Sequence, residues 1–275
     1  STRIHAMENR LLNRERIERM ISAQSEDEAL KVLDECGYGS TAGGSVESRL
    51  AGARAALLDE VQAAVPEPRL VDVFRLKYDY HNAKALVKGE ATGADVRRLL
   101  VSGGRYSCRQ LLEGFQKDAL SGVSARFQQA VAAARRILAG TRDPQQCDIL
   151  LDKACYEEMA RLAEDCASPF LKGYVRLCAD TANLRTAVRV ARMGKGSGFL
   201  LHVLLPGGSV AESALAAARP EDLGSLFQAG ALEKAARLGA RAAQPDGGPL
   251  LAFERECDNA LTRYVAAAKR VPFGE

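Results

Sequence analysis

The sequence predicts an all-α protein, and three observations carry that prediction. Hydrophobic residues make up 47% of the 275-residue chain while aromatics are only 5% and Trp is absent, so the core is built from Ala and Leu, both strong helix formers. Helix start and stop signals recur densely along the chain. The period-two alternation that marks half-buried strands is nearly missing.

Taken in order, Ser25-x-x-Glu28 reads as a capping box ahead of Ala29, Leu30, Val32 and Leu33, with Gly37 as the stop. Ser45 caps a helix through Leu50, Ala53, Leu57, Leu58 and Val61 that ends before Pro66. Pro68 suits the first turn of the next helix, which runs to Gly89. Thr92-x-x-Asp95 opens a short helix through Leu99 and Leu100. Asp143-Pro144 and Ser168-Pro169 open two long helices, the second closed by Gly194. Residues 199–205 form a seven-residue apolar run that leaves helix and strand open. Ser209-x-x-Glu212 reads as a further capping box, and Gly248-Pro249 opens the last long helix through Phe253, Cys257, Leu261 and Val265. The linkers at 37–44, 101–106, 194–198, 206–208 and 244–248 are short, which predicts packed rather than tethered lobes.

Composition narrows the function classes. Lys and Arg number 38 against 35 Asp and Glu, a net charge of +3 that argues against a dedicated nucleic-acid binder. No run approaches the ~18 apolar residues of a membrane span, and Ser1–Met7 lacks the layout of a signal peptide. Seven scattered Cys with no CxxC pair predict reduced, mostly buried thiols rather than disulfides or zinc ligands.

The chain also repeats itself. Residues 74–88 align with 175–189 at an offset of 101, with five identities in fifteen positions: Arg75/Arg176, Leu76/Leu177, Asp79/Asp180, Asn82/Asn183 and Val87/Val188. Lys84 and Lys88 become Arg185 and Arg189. Roughly one identity would be expected by chance. Pro68 pairs with Pro169 and Leu70 with Leu171 at the same offset; downstream, Leu100-x-x-Gly103-Gly104 matches Leu204-x-x-Gly207-Gly208. A third partial copy is signalled by Cys155 recurring as Cys257 and Pro169-Phe170 as Pro272-Phe273. The repeat predicts three lobes, residues 1–105, 106–208 and 209–275, the third incomplete, because the arginine seven residues beyond Pro272 would fall past the last residue.

Arg, Asp and Asn at i, i+4 and i+7 share one helix face. Arg75, Asp79 and Asn82 therefore form one polar stripe, and Arg176, Asp180 and Asn183 another, on helices otherwise apolar nearly all round and hence buried. One carboxylate per copy, with no surrounding cluster, reads as architecture rather than catalysis or metal binding. The Asp is expected to pair with Arg and the Asn to bond backbone on a neighbouring helix. Gly194-Lys195-Gly196-Ser197-Gly198 falls short of GxxxxGK[ST], and His5, His81 and His202 stand isolated. Arg135-Arg136 and Lys269-Arg270 are expected at helix C-terminal ends. No catalytic residue, cofactor or metal is assigned. The Gly-Gly turns Gly43-Gly44, Gly103-Gly104 and Gly207-Gly208 are candidate partner-facing positions, since glycine lets a backbone come close.

Four segments carry a family resemblance: the opening residues 2–12 (Thr2 to Leu12), residues 76–89 (Leu76 to Gly89), residues 179–189 (Ala179 to Arg189), and the close, Phe253 to Ala260 with Val271-Pro272-Phe273-Gly274. Together they resemble the C/d subunit of V-type (A-type) rotary ATPases, in the bacterial and archaeal form, across essentially the whole chain. The resemblance implies three pseudo-symmetric helical lobes forming a funnel. It implies a non-catalytic socket between the central-stalk subunits and the membrane proteolipid ring, coupling ATP turnover to H+ or Na+ transport. It implies no nucleic acid and no direct small-molecule substrate, and a cytoplasmic position peripheral to the membrane. A few residues of the family's start and its third core helix are expected to be missing, as in a fragment. A generic helical-repeat scaffold for soluble partners is the alternative.

Overall fold

The computed structural model describes residues 2–38, 45–244 and 246–270. Every regular element in the described residues is helical. The N-terminal part holds α1 (Thr2–Glu8), α2 (Arg14–Ile21), α3 (Glu26–Glu35) and α4 (Val46–Ala64). The first central helix, α5 (Arg69–Thr92), is followed by α6 (Cys108–Gln116), α7 (Ala125–Thr141) and α8 (Pro144–Asp165). The second, α9 (Pro169–Arg192), is followed by α10 (Ser197–Val203), α11 (Glu212–Ala217), α12 (Leu223–Leu226), α13 (Glu233–Ala242) and α14 (Leu251–Ala267).

The caps explain most boundaries. Ser25, Ser45, Ser107, Ser124, Asp143 and Ser168 each accept a backbone N–H of the first turn of α3, α4, α6, α7, α8 and α9, satisfying a donor the helix cannot. Gly93, at φ 68°, closes α5 beyond the expected stop at Gly89. Glycine suits that position, because a left-handed residue ends the ladder. Thr92 is thereby drawn into α5 instead of starting the next helix, which shrinks to a 3-10 turn at Arg97–Leu99. The apolar run at 199–205 resolves as helix α10 and its exit.

The Ser209 capping box does not form. The first turn of α11 has no side-chain cap, because the Ser209 hydroxyl donates to Asp180 instead. Arg135 is also not at a helix end: it sits mid-α7, pairing with Glu90 at 2.7 Å and Asp118 at 2.7 Å.

Two apolar clusters form the interior. The first joins α5, α6, α7, α8 and the N-terminal part of α9, from Val73 to Val175, around fully buried Leu76, Phe127 and Leu151. The second joins the rest of α9 to the helices after it, from Leu177 to Ala260, around Leu184, Leu204 and Phe253. Each such side chain contributes roughly 1.5–3 kcal/mol through burial, so the central helices are where the stability concentrates. Five of the seven thiols are buried and none is in a disulfide. The N- and C-terminal parts meet where Lys269 Nζ pairs with Glu8 at 2.8 Å.

Candidate functional site

The repeated stripe lies on α5 and α9, and each copy holds the loop that follows its helix. Asn82 donates from Nδ2 to Val101 O at 2.9 Å and accepts Val101 N–H through Oδ1 at 2.8 Å. Asn183 does the same to Leu205, at 2.8 and 2.7 Å. An amide side chain thus stands in for a strand neighbour, satisfying both backbone groups of one loop residue. One turn earlier in each helix, Asp79 accepts Tyr106 N–H at 3.2 Å, and Asp180 accepts Ser209 N–H at 2.7 Å and Val210 N–H at 3.4 Å. Between the two anchors runs the Gly-Gly turn, with Gly103 at φ 106° and Gly207 at φ 88°. A Cβ at Gly104 would collide with Asp79 Oδ1, and one at Gly208 would collide with Asp180 Oδ1. Only glycine lets the carboxylates reach the turn. Gly43 and Gly44 lie outside the described residues.

The charge around the two anchors differs. Asp79, fully buried, pairs with Arg105 at 2.8 Å rather than with Arg75 on its own helix. Arg105 also pairs with Glu158 of α8 at 3.0 Å. Tyr80 donates its hydroxyl to Glu158 at 2.7 Å, and Ser124 donates its own at 2.9 Å. Burial pushes the Asp79 carboxyl up to about 6, against the pull of Arg105 and the Tyr106 amide. Burial and the Glu158 charge also push the Tyr80 hydroxyl far above its ordinary value, so it stays a donor. In the second copy Ser209 stands where the first has Arg105, and Asp180 is held by backbone N–H groups and the Ser209 hydroxyl at 2.6 Å.

The arginines of the stripe also part company. Arg75 is buried, donating to Gly103 O at 3.4 Å, Gly104 O at 3.3 Å and Asp59 of α4 at 2.6 Å. Arg176 is exposed and has no hydrogen-bond or ion-pair partner among the described residues. Sequence reasoning missed Arg105, Glu158 and Asp59. The only trace of them was the weak Arg-before-Asp order, which points to partners off the helix.

Further along α5 and α9 the exchanged basic residues pair with the long helix that follows. Lys84 meets Asp152 and Lys88 meets Asp148 on α8, while Arg185 and Arg189 both meet Glu254 on α14 at 2.6 Å. A cleft of about 490 Å³ opens where α5, α8 and α9 meet, lined by Lys77, His81 and Lys84 of α5, Asp152 of α8, and Arg185 and Arg189 of α9. His81 contacts Leu99 O and His202 contacts Gln146, so neither stands with another histidine. Among the described residues no group of His, Cys, Asp and Glu converges as a metal site, and no helix is long and apolar enough to cross a membrane. What this arrangement does chemically is hold: a helix, a loop and a turn locked by buried polar contacts, twice.

Comparison with known proteins adds kinship to that geometry. Residues 1–274 match the family described as ATP synthase (C/AC39) subunit. The C subunit of the V-type sodium ATPase of Enterococcus hirae is 22% identical over 275 residues, spanning 98% of this chain and 84% of that protein. The C subunit of the V-type ATP synthase of Thermus thermophilus is 30% identical over 175 residues, 60% of this chain and 54% of that protein. The chain thus spans most of the first relative and about half of the second.

Proposed function

The chain belongs to the ATP synthase (C/AC39) subunit family, whose members are non-catalytic subunits of the V-type ATPase, and from that premise we propose that it is the socket between rotor shaft and membrane ring. In this reading it sits on the cytoplasmic side, peripheral to the membrane, gripping central-stalk subunits at one end and the proteolipid ring at the other. It passes torque between ATP turnover and H+ or Na+ movement. Three lobes, 1–105, 106–208 and 209–275, arranged as a funnel, complete the proposal.

The match over residues 1–274 carries the reading. The mechanical side is supported by the doubly anchored turns: a part that transmits torque must not let its loops shift against its helices. Buried polar contacts of this kind fix one geometry, since any slip of the Asp or Asn leaves buried groups unpaired.

The test is coupling itself. Membranes carrying the rotary complex without this subunit should hydrolyse ATP while ATP-driven ion uptake is lost, and adding back the purified chain should restore uptake. Full uptake without the chain would defeat the socket role.

A further inference from the structure

Helix α4 covers the first Gly-Gly turn. Its Leu58 lies over Gly103, 3.6 Å from where a Cβ would stand, and the adjacent Asp59 pairs with Arg75. The second turn is built the same way, from the same Asp and Asn at the same register, yet nothing among the described residues covers it. A Cβ at Gly207 would meet no atom of them within 4 Å, and Arg176 projects to solvent.

The repeat explains the difference. At the offset of 101 residues, Leu58 and Asp59 correspond to Met159 and Ala160 of α8. Met159 belongs to the first apolar cluster and Ala160 packs against it, so these two positions of α8 face that interior and not the second turn. An uncovered glycine turn, with an unpaired guanidinium one helical turn before the Asp180 that holds it, is thus the negative of a surface whose positive this same chain shows in α4.

We propose that Gly207 and Arg176 form a docking position for a helix of a neighbouring subunit, one presenting an apolar side chain followed directly by a carboxylate. That helix would seat over the second turn as Leu58 and Asp59 seat over the first. Arg176 would then form the charge-assisted pair that Arg75 forms within the chain. The proposal rests on the reading of the chain as a subunit of the rotary complex.

The test uses the complex depleted of this subunit and the purified full chain. Arg176→Glu should raise the concentration needed for half reassembly by about tenfold or more and flatten its salt dependence. Arg126→Glu, the same charge change at another exposed arginine, should stay within about twofold. Equal behaviour of the two variants overturns the proposal. Arg176→Lys supplies a second arm: a carbodiimide should link its amine to a carboxylate of another subunit, and peptide mass spectrometry should find an apolar residue just before it. Absence of that link, or a link only to a second copy of this chain, also overturns the proposal. If the wild-type chain fails to rejoin the complex, the subunit reading falls and the docking site with it. If it rejoins with no dependence on position 176, the docking site falls alone.

Discussion

The two anchored turns share a skeleton and differ in what neutralises their carboxylate. At the first, Asp79 sits in a charged network of Arg105, Glu158, Tyr80 and Ser124, covered from outside by α4. At the second, Asp180 is held by two backbone N–H groups and one hydroxyl, and no described residue covers the outside. The backbone geometry therefore does not need the salt bridge. The anchor is the Asp and Asn reaching loop amides past a glycine, and the network was built around one copy of it. Buried ion pairs are weak contributors to net stability but costly to break on one side, so the first copy should be the more fragile to single substitutions.

Changes that strike the network should separate the copies most. Glu158→Ala takes a partner from Arg105, Tyr80 and Ser124 together, and the expected cost is about 3–5 kcal/mol. Its second-copy equivalent is already Ala260, at an offset of 102, so that position offers nothing to lose. A denaturant midpoint for Glu158→Ala near wild type would show that the network is ornamental. Asp180→Ala comes next: it frees the Ser209 and Val210 amides, at about 1.5–3 kcal/mol, and should loosen the second turn. An unchanged melting temperature would break the claim that this carboxylate anchors the turn.

Gly104→Ala and Gly208→Ala should cost about 1–3 kcal/mol each, and by similar amounts, because both push a methyl into the carboxylate. A large inequality would mean that one turn can retreat and the other cannot.

The smallest difference is in pH. Asp79 titrates near 6 when folded, above its ordinary value of 3.8, so the folded state holds the proton more tightly. Its contribution to stability is full below about pH 4 and is lost as pH rises through about 6. Wild type should therefore gain, relative to Asp79→Asn, over that window on acidification. Parallel stability curves for the two proteins from about pH 4 to 7 would show that Asp79 is not the titrating group.

The two copies also mark what the sequence could reveal. Arg75, Asp79 and Asn82 were findable because helix periodicity puts i, i+4 and i+7 on one face and the repeat says it twice. The loop partners of Asn82 and Asn183 were not, since no periodicity constrains which loop residue returns to a helix. Glu158 lies 78 residues from Tyr80 in the chain, and a contact that distant leaves no local pattern. Local signals also lost where a tertiary partner competed better: Ser209 looks like a cap and instead serves Asp180, and Arg135 looks like a helix terminator and instead joins α7 to Glu90 and Asp118. The caps at Ser25, Ser45, Asp143 and Ser168 were legible because capping is settled within a single turn.

One helix belongs to both interiors. The boundary between the apolar clusters falls inside α9, between Val175 and Leu177, with no loop at the crossing. Two bodies welded through a single continuous helix cannot melt as independent units, because losing either part of α9 removes a wall of the other. Nearest-neighbour coupling of this strength makes adjoining repeats unfold as one. Calorimetry should accordingly give a single endotherm whose van't Hoff and calorimetric enthalpies agree. Two resolved peaks would mean that α9 breaks at the crossing, giving the molecule a flexible joint between its two interiors.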